Sequence, residues 1–140
     1  MAMGAKVEIT TLPGYMPLEC DPNLAELTLQ NCREVVGPGN IGTSSHSTGS
    51  TDLGDLGAIM PVVHPRAGGA TGNGHGNDYW TVDQQIAAIN PAKSMALTAI
   101  DLLFDGATEA TRIKAESGQK LTKEQYLELV RGFAREESYT

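Results

Sequence analysis

Gly49-Ser50-Thr51-Asp52-Leu53-Gly54-Asp55-Leu56-Gly57, continuing through Met60-Pro61 to Gly68-Gly69-Ala70-Thr71-Gly72-Asn73-Gly74-His75-Gly76, is the stretch whose reading decides the fold. Glycine is dense here, carboxylates and a histidine fall close together, and bulky side chains nearly vanish. Glycine loses more backbone entropy on folding than any other residue, so such a run marks sharply bent backbone or close approach to a ligand. A flexible linker is the plain alternative. Against it stands Leu56-Gly57-Ala58-Ile59-Met60-Pro61-Val62-Val63, an apolar run long enough for one buried strand. The glycines are therefore read as flanking a core element and forming a site.

Composition bounds the rest. A chain of 140 residues with 40% hydrophobic side chains has material for one ordinary core. Its net charge of -7 and pI near 4.8 argue against nucleic acid as a partner, because nucleic-acid binders cluster Lys and Arg. Met1 to Lys6 lacks the apolar core of a signal peptide, and no run approaches the ~20 apolar residues that span a bilayer, so no membrane partner and a cytoplasmic location are expected. Cys20 and Cys32 have no CxxC pattern and are read as reduced packing thiols.

Outward from the glycine-rich stretch, Val7, Ile9 and Thr11 alternate with Glu8 and Thr10, which predicts a strand with one buried face, ended by Pro13-Gly14. Asp21-Pro22 is a helix start, and Leu24, Leu27, Leu29, Cys32, Val35 and Val36 keep helical spacing up to Gly37-Pro38-Gly39, predicting a helix over 22–36. Pro38 to Gly49 reads as a mobile or site-lining loop, with His46 solvated. Beyond the site, Thr81-Val82-Asp83-Gln84 has the capping-box form, and the residues to Phe104 are apolar nearly all round, predicting a helix over 81–104 buried on most sides. A weaker charged helix is expected over 107–117. A second capping box at Thr122-Lys123-Glu124-Gln125 opens a helix to about 136, docked through Tyr126, Leu129, Val130 and Phe133.

Gly-Ser-Thr-Asp-x-Gly-Asp at Gly49–Asp55, a hydrophobic strand with Pro61, then a Gly/Thr-rich strand ending in a loop with one histidine, resembles the carboxy-terminal part of M20-family metallopeptidases and amidohydrolases. The nearest branch is that of aminobenzoyl-glutamate hydrolase, and Asn90 to Ala99 resembles the helix that follows the histidine there. The resemblance covers nearly the whole chain, weakening after about Gly106, and corresponds to the last third of a family member. It implies that residues 1–12 end a lid or dimerisation domain, with Val7–Thr11 separated from its own sheet, and that 13–140 form the carboxy-terminal portion of a catalytic domain. It makes His75 the last metal ligand of a two-zinc site and places Ser50, Thr51 and Asp52 in the loop that faces the substrate carboxylate. His64 is read as structural; Asp55 and Asp78 are each read either as a carboxylate supporting a metal ligand or as an ordinary turn acid.

The departures are as informative. The family's His-x-Asp pair is absent, and Glu136-Glu137, the only Glu-Glu, is expected as solvated surface of a frayed terminal helix. A hydrolytic water needs a general base and a complete cage of ligands. Three readings follow: a fragment or split part of an amidohydrolase, inactive alone; a non-catalytic binding or assembly module retaining the fold; or a small self-sufficient enzyme using Asp52, Asp55 and His75. The expected fold is α/β, the C-terminal half of a zinc-hydrolase-type domain: a small mixed sheet from Val7–Thr11, Ile59–Val63 and Arg66–Gly72, covered by helices over 22–36, 81–104 and 122–136. The implied reaction is metal-assisted hydrolysis of a small-molecule amide beside a carboxylate group, with zinc as cofactor and the missing N-terminal part of the enzyme, or a second copy paired through strand edges, as partner.

Overall fold

The computed structural model describes residues 4, 6–42, 49–118 and 120–139. His46 lies outside them. The chain combines helices with two small antiparallel sheets, a broadly α/β composition. In chain order these are β1 (Val7–Thr11), α1 (Pro22–Val36), a 3-10 turn (Pro38–Asn40), α2 (Asp52–Gly57), β2 (Ala70–Thr71), β3 (Trp80–Thr81), a π-helical turn (Gln85–Ile89), α3 (Asn90–Glu116), α4 (Lys123–Arg131) and β4 (Arg135–Tyr139).

α1 forms where its signals place it. The Asp21 carboxylate accepts the N–H groups of Asn23 and Leu24, both at 3.0 Å, and Pro22 supplies a first-turn residue whose missing N–H costs nothing. Gly37, at φ 81°, closes the helix by donating its N–H to the Arg33 carbonyl. The side of α1 that is most buried, however, is Thr28 and Asn31 rather than the leucines. Across from them on α3 lie Ser94 and Thr98, also buried, and Asn31 Nδ2 donates to Thr98 Oγ1 at 3.3 Å and to Asp101 Oδ2 at 2.7 Å. Small hydroxyl residues let the helices approach, and the amide network satisfies the polar groups that this approach buries.

The expected strand Ile59–Val63 does not form. The chain leaves α2 at Gly57 through a turn: Ala58 donates to the Gly54 carbonyl at 3.1 Å, and Ile59 and Met60 to the Leu56 carbonyl at 3.0 and 2.9 Å, so local bonds take donors that a ladder would use. Pro61 has no N–H to offer a ladder. Val62, one of two buried apolar side chains among the described residues with Ile113, instead accepts the Asp21 N–H through its carbonyl at 2.8 Å. Of the expected strand Arg66–Gly72 only Ala70–Thr71 remains, paired with Trp80–Thr81.

β1 does not lack a sheet partner. It pairs with β4, Val7 opposite Tyr139 and Thr11 opposite Arg135. Glu136 and Glu137 therefore lie in a strand and not in a frayed helix; α4 stops at Arg131, where Gly132 accumulates the last helical bonds. β1 thus has a partner within its own chain, while Val7 and Ile9 stay exposed. α4 begins as expected, with the Thr122–Gln125 capping box formed in both directions.

The capping box expected at Thr81 does not form, because Thr81 is taken by β3; Asp83 caps the turn by accepting the Ile86 N–H at 2.9 Å. The π-turn has a local cause. Pro91 cannot donate to a residue four back and its ring crowds that carbonyl, so the coil widens ahead of it, with Asn90 N–H reaching Gln85 O. α3 is longer than expected, absorbing the predicted 107–117 helix across a break at Phe104–Ala107. Nor is it buried on most sides: Met95, Ile100, Leu103 and Phe104 are exposed, Phe104 by 75%. Within Gln85–Glu116 an 18-residue stretch is long and apolar enough, by length and composition only, to cross a membrane, which the sequence reading did not anticipate.

Candidate functional site

His75 sits at the tip of the β2–β3 hairpin. Thr71 faces Trp80 across the ladder, and the turn between them is held by its own polar groups. Asn73 donates its backbone N–H to Asp78 Oδ1 at 3.3 Å and its side-chain amide to Asp78 Oδ2 at 2.9 Å, while Gly76 donates to the Asn73 carbonyl at 2.7 Å. Asp78 is thus the clamp of the turn. Gly72, at φ 87°, passes so close to the Asp78 carbonyl that a Cβ has no room. These constraints leave His75 exposed at φ 66°, in the left-handed region that a side chain rarely adopts. Its imidazole makes no hydrogen bond or ion pair among the described residues.

Ser50, Thr51 and Asp52 enter α2. Ser50 forms an isolated antiparallel bridge with Pro17, Thr51 is the N-cap residue, and Asp52 opens the first turn. The Thr51 hydroxyl donates to Asp52 Oδ1 at 2.9 Å rather than to the helix backbone. Asp52 and Asp55 put negative charge at the helix start, where the unpaired N–H groups favour it. Asp55 is committed elsewhere: its Oδ1 accepts the Met16 N–H at 2.8 Å. Burial and the neighbouring Asp55 carboxylate raise the Tyr126 phenol above its ordinary pKa.

No hydrogen bond or ion pair joins His75 to Ser50, Thr51 or Asp52 among the described residues. Nor do three His, Cys, Asp or Glu side chains converge among them in a way that could hold a metal ion. A zinc cage needs about four donors, so the described residues do not fit such a group by themselves; His75 offers one exposed donor. This leaves the self-sufficient trio of Asp52, Asp55 and His75 without support.

Sequence reading missed a cavity between α1, the Val63–Gly68 segment and the start of α3, lined by Thr28, Cys32, Val63, Arg66 and Ser94. The signal that was available lay in Thr28 and Ser94, hydroxyl residues placed where an ordinary helix contact would carry larger apolar side chains. His64, read as a strand-end residue, lies exposed on the rim of this cavity. Cys20 and Cys32 are both free thiols. Comparison with protein-family models, with curated proteins and with solved structures finds no match.

Proposed function

We propose that this chain contributes one side of an M20-type metal-dependent amidohydrolase site, with the other metal ligands and the general base supplied by residues beyond those described. The reaction is hydrolysis of an amide bond next to a small carboxylate group, His75 being the last ligand of a zinc site and Ser50, Thr51 and Asp52 lining the substrate side. The zinc-hydrolase-type fold, the division near residue 12 and a cytoplasmic location belong to the same proposal. The observation that carries it is the hairpin turn: Asn73, Asp78 and Gly72 hold His75 outward with no partner of its own, the disposition of a donor presented to something else.

The test is reconstitution. The chain alone should not hydrolyse an aminobenzoyl-glutamate substrate, and activity should appear on adding a polypeptide that carries the family's His-x-Asp and Glu-Glu pairs. In that assembly His75→Ala should lower turnover by at least ~10²-fold while the isolated variant folds normally. Unchanged turnover would sink the assignment.

A second reading, a non-catalytic assembly module, is favoured by the exposed apolar side chains of α3, Met95, Ile100, Leu103 and Phe104. It predicts concentration-dependent association in sedimentation, with no activity gained from the added polypeptide.

A further inference from the structure

The cavity beside α1 encloses about 310 Å³, at the lower end of the range for small-molecule sites. An adjoining, more open lobe of about 560 Å³ shares Thr28, Cys32, Val63 and Arg66 with it and adds Cys20. The walls of the 310 Å³ lobe are mainly apolar, with Val36, Ile41, Val63, Ile86 and Met95.

Three observations set what such a cavity would hold. First, the described residues lining both lobes include Arg66 and His64 and no Asp or Glu, in a chain that carries 17 carboxylates against 10 Lys and Arg. Second, Arg66 makes no ion pair or hydrogen bond among the described residues, as is true also of the Arg131 side chain, whereas Arg33, Arg112 and Arg135 each have an acidic neighbour. Third, Thr28 and Ser94 put two hydroxyl-bearing residues within the mainly apolar wall of the enclosed lobe.

We propose that this cavity binds a small organic anion, an apolar body of about one ring carrying a carboxylate, with the body against Val63, Ile86 and Met95 and the carboxylate met by the Arg66 guanidinium at the rim. A planar guanidinium matches a carboxylate with two parallel N–H groups, and the absence of lining acids removes the repulsion that the rest of this acidic surface would impose. The cavity shares no residue with the Ser50–Asp52 turn or the His75 hairpin, so the inference stands apart from the hydrolase reading.

The experiment titrates the whole chain with benzoate, benzamide and benzylamine, followed by amide chemical shifts. Benzoate should saturate, shifting Thr28, Cys32 and Ser94, and should bind roughly 5- to 10-fold more tightly than benzamide, with benzylamine weakest. Arg66→Gln should erase the preference of benzoate over benzamide while keeping the wild-type melting curve, since Arg66 is exposed and unpaired. A second readout avoids the variant: with Cys20→Ser leaving Cys32 as the sole thiol, benzoate should slow its alkylation by neutral iodoacetamide with the same half-saturation. Equal affinity for benzoate and benzamide, no saturable binding of either, shifts confined to other regions, or unprotected Cys32 would each overturn the proposal.

Discussion

Asp55 Oδ1 accepts the backbone N–H of Met16 at 2.8 Å, joining positions 39 residues apart. One residue before it, Gly54 lets the Met16 carbonyl lie where a Cβ would stand. Together with the Pro17–Ser50 bridge and the Asp21 to Val62 bond, this contact ties the segment ahead of α1 to the glycine-rich stretch. The Gly-Asp pair at 54–55 therefore serves backbone packing: glycine permits the approach, and the carboxylate satisfies the N–H that the approach brings in.

Gly54→Ala and Gly57→Ala separate crowding from helix propensity. Alanine in a helix gains about 1 kcal/mol over glycine. At position 57 the new methyl meets Val62 Cγ2 at 3.1 Å, a side-chain atom that can shift. Urea denaturation should place Gly57→Ala within about 1 kcal/mol of wild type. At position 54 the methyl meets backbone, and the loss should be about 2 kcal/mol or more.

Asp55 has a second partner in Tyr126, whose phenol is raised by burial first and then by the Asp55 hydrogen bond and charge. A folded-state pKa above the unfolded one means that the proton is held more tightly in the folded chain. The associated stability is present below the unfolded value of ~10 and is lost as pH rises through the folded value. The absorbance titration of wild type minus Tyr126→Phe should show a midpoint above ~10, and Asp55→Asn should move it down. A midpoint unmoved by Asp55→Asn would refute the pairing.

The hairpin makes opposite predictions for neighbouring positions. Gly72→Ala forces a methyl against the Asp78 carbonyl at φ 87° and should unseat the turn at a cost of about 2 kcal/mol, read from the near-ultraviolet dichroism of Trp80 on β3. His75→Gly relieves a left-handed histidine and should leave the turn unchanged or firmer by up to about 1 kcal/mol. Loss of the turn in His75→Gly would show that the imidazole itself holds it.

Asn31 joins α1 to α3. Asn31→Ala removes donors to Thr98 and Asp101 and opens space at a buried position, so a loss of about 1–3 kcal/mol in denaturant is expected. Asn31→Asp, which replaces the donating amide with a second carboxylate facing Asp101, should cost at least as much at neutral pH and recover as Asp101 and the new acid protonate.

Local signals carried furthest in the sequence. Asp21-Pro22 and Thr122 with Gln125 mark α1 and α4 because capping chemistry is decided within a few residues. Strand pairing is not so decided. Arg135–Tyr139 has a charged, unremarkable sequence, and only β1, far away in the chain, makes it a strand. Leu56–Val63 fits a strand or a helix end equally on hydrophobicity, and in the fold its first two residues close α2 while the rest leaves through a turn; the close contact of Gly54 with Met16, which belongs to that arrangement, is invisible in any window. His75 was legible as the tip of a glycine-rich turn; its clamp, Asp78, and the Arg66 cavity depend on residues brought together by the fold.

The break in α3 has a consequence for how the chain opens. Asp105, Gly106 and Ala107 all have positive φ, and the two non-glycines each carry a penalty of about 1–2 kcal/mol. The Thr108 hydroxyl, donating to the Asp105 carbonyl at 2.7 Å, starts a fresh turn beyond it. The two arms share no continuous ladder, so they need not unzip together. In native-state hydrogen exchange the arm bearing Ser94 and Thr98, locked to α1, should exchange only with global unfolding. The arm after Ala107, anchored by Ile113 and the Arg112 pairs with Glu109 and Glu116, should open as its own cooperative unit at lower free energy. One assigned helix would then behave as two foldons.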